Sequence, residues 1–398
     1  MDKKNKNPNV PNLRFKKYSN DWVKYKITDL GKMQRGKSKH RPRDDEKLYG
    51  GEYPFIQTGD IKKAHLYINE YEKTYSTYGL SQSKLWKKGT LCITIAANIA
   101  ETAILGMDAC FPDSIIGWCS NNQLTNNLFI KYYFDFYKEQ LKRLSVGGAQ
   151  ENLNLDKLEK IYFNIPSLQE QNKIADFFYK IDEKIVTQIK IIDDYISLLN
   201  SLRDHLIYTH NSKKATLSGY IDIYNGYTFK SKNYIKDGKY KVITISNVTG
   251  QRFVNLASIN TINKIPFDIQ NYQIIAKDSI LVSLTGNVGR TSICNVDNCL
   301  LNQRVALVKC KNIDSKYIYH ILSSTRFLRK MCLSSQGAAQ KNISTKDILD
   351  YMIPLHSNQE IKNITRLLEA VESKLDIEKN ILNFLYQQKT YLLKNMFI

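Results

Sequence analysis

The residues Gly31-Lys-Met-Gln-Arg-Gly36-Lys37-Ser38 have the spacing of a phosphate-binding loop, in which backbone amides and a helix N-terminus cradle phosphate. That chemistry needs a buried strand before the loop and an amphipathic helix opening at the lysine. Here the chain continues as Lys39-His40-Arg41-Pro42-Arg43-Asp44-Asp45, with nothing apolar before Leu48 and no apolar run ending in Asp to hold magnesium. The same stretch offers a different chemistry. Arg35, Lys37, Lys39, Arg41 and Arg43 form a cationic arm that suits a phosphate backbone. A solvated charge run accounts for it equally well. A second candidate is Thr285-Gly286-Asn287-Val288-Gly289-Arg290. It lacks the GxGxxG spacing, and strand-like residues Thr291 to Cys294 follow it, so it reads as a tight hairpin whose glycines supply positive φ. Asn287 and Arg290 at its tip could reach base edges or phosphates. A turn with only a structural role fits the same residues. Thr58, Asn98, Lys230, Lys232, Asn247 and Arg304, polar or basic residues of expected loops, complete the candidate nucleic-acid contacts.

Other chemistries lack their residues. There is no Asn/Asp-Pro-Pro-aromatic turn or Pro-Cys nucleophile for base methylation. Pro112-Asp113 has no Glu-x-Lys partner for a nuclease, and Asp182-Glu183-Lys184 belongs to a long helix. The six histidines (40, 65, 205, 210, 320 and 356) show no metal-ligand spacing. The seven cysteines (92, 110, 119, 294, 299, 310 and 332) are odd in number with no CxxC pair, which points to reduced thiols used as small core residues. No catalytic group, metal or cofactor of its own is expected. A net charge of +20 with 11% aromatic residues points to a polyanionic partner. No apolar run reaches the ~18 residues of a membrane span, and Met1 to Asn20 lacks the apolar core of a signal peptide, so a cytoplasmic protein is expected.

The elements that must position the candidates occur twice. From Ile174, apolar residues recur through Phe178, Ile181, Ile185, Ile189, Ile192, Ile196, Leu199, Leu202 and Leu206, in steps mostly of three and four. That is the seam of a helix packed on another helix. Asp182, Glu183, Arg203 and Asp204 are among the residues placed on its solvated face. A helix from Gln169 to Thr209 would span roughly 60 Å, long for a core helix and suited to a spacer. The C-terminus repeats the pattern at an offset of 190 residues: Ala149-Gln150-Glu151-Asn152-Leu153 matches Ala339-Gln340-Lys341-Asn342-Ile343. Ile165-Pro166 and Ile353-Pro354 follow, then Ile174 with Ile364, Phe178 with Leu368, Ile181 with Val371 and Ile185 with Leu375, and the second helix runs on through Leu382 and Leu385. Two complementary seams in one chain predict an intramolecular antiparallel coiled coil. Two amphipathic helices, each on its own domain, is the alternative.

The regions before these helices also match. Leu91 to Thr102 lies over Ile280 to Thr291, Gly36 over Gly226, and Tyr53 to Ile61 over Tyr240 to Val248. Short runs at Trp22 to Leu30, Tyr53 to Gln57, Leu91 to Ile95, Thr102 to Leu105 and Ile115 to Cys119 predict a mixed sheet. A helix is expected at Asn127 to Leu144, with a matching one at Lys316 to Met331. The fold class is α+β: two mixed α/β globules in a pseudo-two-fold repeat, joined by two long helices. The expected segments are a disordered basic N-terminus (1–12), a first globule (13–152), a central spacer helix region (153–211), a second globule (212–342) and a C-terminal spacer helix region (343–398).

On these residues the chain resembles the specificity subunit of type I DNA restriction–modification enzymes. The resemblance rests on Gly-x-x-Gln-x-Asn-(Leu/Ile) at Gly147 to Leu153 and at Gly337 to Ile343. Each is followed by Ile-Pro, a Gln/Glu pair (Gln169-Glu170-Gln171; Gln359-Glu360) and a long helix. Lys277 to Ser283, Thr285 to Arg290 and Asn302-Gln303-Arg304 also resemble family elements; the first copy departs from the glycine loop at Ala97, Ala100 and Glu101. The resemblance implies a non-catalytic subunit whose two target recognition domains each read one half of a bipartite, asymmetric DNA site. The helices would set the gap and dock two methyltransferase (modification) subunits, which bring S-adenosylmethionine and flip an adenine in each half-site. Two restriction subunits using ATP and Mg²⁺ would join them. A coiled-coil adaptor that binds proteins and not DNA, and a P-loop NTPase acting through Lys37, are the alternative readings.

Overall fold

The computed structural model describes residues 9–145, 153–208, 213–335 and 342–398. Gly147 to Asn152, Gly337 to Lys341 and His210 lie outside the described residues. The chain divides into two compact units, Met1–Lys190 with Asn380–Ile398, and Ile191–Lys379. The spacer segments 153–211 and 343–398 are therefore shared between the units.

The first unit is built on a five-stranded sheet in the order Gly31–Arg35, Ile115–Ser120, Leu91–Thr94, Thr102–Leu105, Tyr67–Ile68. The first four strands pair antiparallel, and the last is parallel to its neighbour. Leu91–Thr94 and Thr102–Leu105 are buried at every position because both faces of the sheet are covered, which is why they read as apolar runs without alternation. A hairpin of Tyr49–Phe55 and Lys73–Tyr75 stands apart, held by Phe55 stacked on Tyr75 at 4.0 Å. The expected helix forms over Asn127–Ser145, and Asn126 Oδ1 accepts from the Phe129 amide at its start, 3.0 Å away. Trp22 to Leu30 is not one strand. Val23–Lys26 pairs with Tyr162–Ile165, and Ile27–Leu30 turns helical because the Asp29 carboxylate accepts from the Lys26 amide at 3.2 Å. From Asn9 onward the N-terminal segment is tied down: the Trp22 amide donates to Asn9 O at 3.0 Å, and Pro11 is buried.

The second unit repeats this frame. A four-stranded sheet runs Ile221–Asn225, Val305–Cys310, Ser279–Ser283, Thr291–Cys294, the counterparts of the first four strands above in the same order. A second sheet, Asn260–Ile262, Tyr240–Ile243, Cys299–Leu301, Ile274–Ile275, extends pairings the first unit also makes: Lys73–Tyr75 with Tyr49–Phe55, Phe55 parallel to Cys110, and Ala109 antiparallel to Trp86. Lys214–Thr216 pairs with Met352–Pro354, as Val23–Lys26 pairs with Tyr162–Ile165. The helix expected from Lys316 to Met331 is two helices, Ser315–Leu322 and Thr325–Ser334. It breaks where the Ser324 hydroxyl accepts from the Phe327 amide at 3.2 Å and so starts a new helix.

The long helices are Leu168–Tyr208 and Asn358–Met396. Within the first unit, Ile174, Phe178, Ile181 and Ile185 are buried against Leu382, Leu385, Met396 and Phe397. Phe178 meets Phe397 with ring centroids 5.7 Å apart, while Asp182 meets Lys389 at 2.6 Å, so the two helices run antiparallel. Within the second unit, Ile192, Leu199, Ile364, Leu368 and Leu375 are buried and Val371 is half-buried. Ile196 leaves the seam and is 39% exposed. Asp182 and Arg203 are not on a solvated face. Asp182 accepts from the Tyr132 hydroxyl at 2.8 Å and from Lys389 at 2.6 Å. Arg203 donates to Glu372 at 2.8 Å, and Glu372 accepts from the Tyr319 hydroxyl at 2.9 Å. Each unit thus buries one tyrosine–acid–cation triad on its helix pair. Periodicity assigns charged side chains to solvent and cannot see a partner on another element.

Candidate nucleic-acid interface

In the first unit, Arg35 lies opposite Ile116 and Thr94 opposite Ile115. The cationic segment after Arg35 and the loop after Thr94 therefore leave the same end of the sheet. The segment is pinned through its backbone: Gly36 N donates to Ile115 O at 2.8 Å, Lys37 N to Phe111 O at 3.1 Å and Lys39 N to Gln82 O at 3.0 Å. A Cβ on Gly36 would overlap the carbonyls of Phe111 and Pro112; one on Gly226 would overlap Leu301 and Asn302. These paired glycines permit a close backbone approach, and no helix opens at Lys37. The P-loop reading has no structural context.

The five cations differ in how they are held. Arg43 donates to both carboxylate oxygens of Asp113, at 2.9 and 2.8 Å, and Arg35 Nε donates to Asp113 O at 3.1 Å. Arg41 Nη1 donates to the carbonyls of Ser38 and His40, each at 2.8 Å. Lys37 and Lys39 are exposed and form no ion pair among the described residues. Asp45 accepts from the Lys47 amide and pairs with His40 at 2.7 Å, and these two contacts hold its carboxyl below the usual range. Lys84, which sequence reading passed over, joins this group. The hydroxyl of its neighbour Ser83 donates to Lys37 O at 2.8 Å, and Lys84 itself lies over the Trp86 ring at 3.7 Å. The adjacent Trp was its only signal. Thr58 is half-buried at the first position of the helix Thr58–Lys63.

The second unit places its candidates at the equivalent end. Asn225 lies opposite Ala306 and Ser283 opposite Val305. Both units close their loop with the same latch. Thr94 Oγ1 donates to Asn98 O and accepts from Glu101 N at 2.9 Å; Ser283 Oγ donates to Asn287 O at 2.5 Å and accepts from Arg290 N at 3.0 Å. Gly286 and Gly289 both have φ +73°; in the first unit Ala97 at +44° and Ala100 at +63° hold the same turn, so the backbone survives the loss of the glycines. Asn98, Asn287 and Arg290 are exposed. Thr285 is half-buried in a bridge to Asn342. Arg304 is exposed, and its carbonyl accepts from Leu284 N at 2.9 Å. Lys230 and Lys232 are exposed at the turn Ser231–Asn233. Asn247 is a correction: it is 1% exposed, its Oδ1 accepts from Thr244 N at 2.9 Å, and its Nδ2 donates to Asn255 O at 2.8 Å. Its amide closes a turn and is not available to a base. Thr228, which hydrogen-bonds Gln303 at 2.5 Å, is exposed with it and was not among the candidates.

One group of metal-type side chains occurs among the described residues, His320 with Glu369 and Glu372. Arg203 lies 2.8 Å and Arg252 3.7 Å from Glu372, and Arg252 lies 3.0 Å from Glu369, so their charges are already compensated. Arg203 Nε donates to His320 Nδ1 at 3.3 Å, which leaves the Nε2 proton for Glu369. Burial pushes the imidazole below its ordinary pKa, and the His320 ring 3.3 Å away, with Arg252 nearby, draws Glu369 down to about 2. This is a structural network. No helix among the described residues is long and apolar enough to cross a membrane.

Known proteins share this arrangement. Residues 19–192 and 210–387 each match the family model for the type I restriction modification DNA specificity domain. The type I restriction enzyme MjaVIII specificity subunit of Methanocaldococcus jannaschii is 23% identical over 94% of this chain and 91% of its own length. The crystal structure of a type I restriction–modification S subunit from M. genitalium superposes with a TM-score of 0.57 at 16% identity, covering 98% of this chain and 99% of that one. A chain from a structure of a type I R-M system gives a TM-score of 0.58 at 13% identity, covering 94% and 96%. With one copy of the specificity domain matched before residue 192 and a second after residue 210, this chain belongs to the type I restriction modification DNA specificity family.

Proposed function

We propose that the chain is the non-catalytic DNA sequence-specificity subunit of a cytoplasmic type I restriction–modification complex, each specificity domain reading one half of a bipartite asymmetric site. One observation carries the reading. Two copies of one sheet frame present exposed cationic and amide side chains, Lys37, Lys39 and Asn98 in one and Asn287, Arg290 and Arg304 in the other, from the equivalent sheet end. Lysines and arginines supply salt-dependent attraction to phosphates, while Asn and Arg discriminate base edges. The long helices fix the half-site gap and dock two modification subunits, and two restriction subunits join them. S-adenosylmethionine belongs to the modification subunit; ATP and Mg²⁺ belong to the restriction subunit. The chain's part is to hold the two readers at a set spacing, since half-sites on one face of DNA lie about 34 Å or a multiple apart. Mapping methylated adenines in a genome carrying the complex tests this. A split motif with a fixed gap is expected; a continuous motif, or methylation without sequence preference, contradicts it. Removing matched heptads from both helices should change the gap and leave both half-motifs as they were.

A further inference from the structure

Four residues on one face of the second long helix, Glu369, Glu372, Ser373 and Asp376, are all reached by a single arginine side chain, in addition to the contacts of Glu369 and Glu372 described above. Arg252 lies 3.0 Å from Glu369, 3.7 Å from Glu372, 3.5 Å from Ser373 and 3.0 Å from Asp376. It arrives on the segment between Asn247 and Val254. By the 190-residue offset, the same face of the first long helix is Tyr179, Asp182, Glu183 and Val186. There no arginine arrives. That face instead lines a cavity of about 810 Å³, closed on the other side by the segment from Asp60 to Glu72.

The cavity is acidic in a chain of net charge +20. Asp60, Glu70, Glu72, Asp182 and Glu183 line it with Lys63 and His65; Glu72 is paired with Lys63, Asp182 with Lys389, and Asp60 accepts from the Gln57 amide, which leaves Glu70 and Glu183. Among the described residues neither Glu70 nor Glu183 takes part in an ion pair. Tyr67, Tyr71 and Val186 are 40%, 41% and 45% exposed. The cavity flanks Tyr67–Ile68, the edge strand opposite the one that leads into the cationic segment. Phosphate would be repelled here, while a guanidinium finds both carboxylates and aromatic faces.

We propose that this groove receives a cationic segment of a partner polypeptide, an arginine of which takes the place that Arg252 fills in the second unit. The inference rests on the chain working as a subunit of a larger complex, and it makes the contact asymmetric: one such segment per chain, on the first unit only. The test places p-benzoylphenylalanine at Tyr71 in the full chain, assembles it with its cognate modification and restriction subunits and DNA, irradiates, and identifies the linked peptide by mass spectrometry. The expected product joins position 71 to one partner peptide containing Arg or Lys. Glu183→Lys lowers its yield about tenfold, and Val186→Asp, which copies Asp376, raises it several-fold. Assembly without a cross-link, linkage to DNA or to a peptide lacking Arg and Lys, or a yield indifferent to Glu183→Lys overturns the proposal. Site selection on DNA is measured on the same preparations. Loss of sequence preference there counts against the specificity reading, whereas selective methylation without the cross-link counts against the groove alone.

Discussion

The two units keep the same frame and differ in what they hang on it. Both order four strands alike, latch the loop after the third strand position through one hydroxyl (Thr94 or Ser283), and bury one tyrosine–acid–cation triad on the helix pair. Both also run a parallel edge beside the fourth strand, Tyr67–Ile68 or the Phe253 bridge to Ile293; the first unit adds a cationic segment, while the second spends Arg252, on that edge, on the long helix. Buried contacts are held because an unpaired buried charge is costly, while exposed loop tips are free to change. A protein that reads two different half-sites from one scaffold needs that division.

The sharpest way to break the comparison is to remove the buried acid from each unit. Glu372→Ala strands Arg203 and should cost the second unit about 3–5 kcal/mol. Asp182→Ala should cost less, because Asp135 lies 3.9 Å from Lys389 and can take up the charge. All three tryptophans (Trp22, Trp86 and Trp118) sit in the first unit, so their fluorescence during urea unfolding follows that unit while circular dichroism follows both. Equal losses would mean that the two triads are not compensated as described.

The latched loops give a smaller effect of opposite sign in the two units. Gly286→Ala forces a Cβ into the left-handed region and should cost about 1–2 kcal/mol. Ala97→Gly relieves the same conformation and should stabilise the first unit by up to about 1 kcal/mol. Parallel thermal melts decide whether the turns are equivalent; destabilisation by Ala97→Gly would show they are not.

Acid should act first on the second unit. His320 is buried with its pKa lowered, so the unfolded chain binds the proton more readily and stability falls as pH drops below the ordinary histidine value near 6.5. Glu369, drawn to about 2, contributes stability above the ordinary glutamate value and loses it only as pH falls toward 2. Between pH 7 and 5 the loss therefore belongs to His320, and His320→Gln should flatten the slope there. A slope unchanged by that substitution would contradict the assignment. The smallest effect expected is from Lys37→Ala and Lys39→Ala, each lowering the slope of log affinity against log salt by about one, without changing the preferred sequence.

Much of this was legible in the sequence. The offset of 190 residues gave the repeat, and the seam residues Ile174, Phe178, Leu368 and Leu375 are buried as their spacing requires. What stayed hidden depended on contacts distant in sequence. Asp182 and Arg203 looked solvated because their partners lie on other elements, and Asn247 looked like a loop reader because nothing local marks a buried turn. Lys84 gained its place from Ser83 reaching Lys37. The acidic groove joins Glu70 to Glu183, residues far apart in the chain that no local pattern connects.

The most direct test of two independent readers on one frame is a methylation map of the complex carrying Asn287→Ala with Arg290→Ala. The account predicts a relaxed motif in one half-site, with the other half-site and the gap unchanged. Both half-sites altered together, or neither, would contradict it.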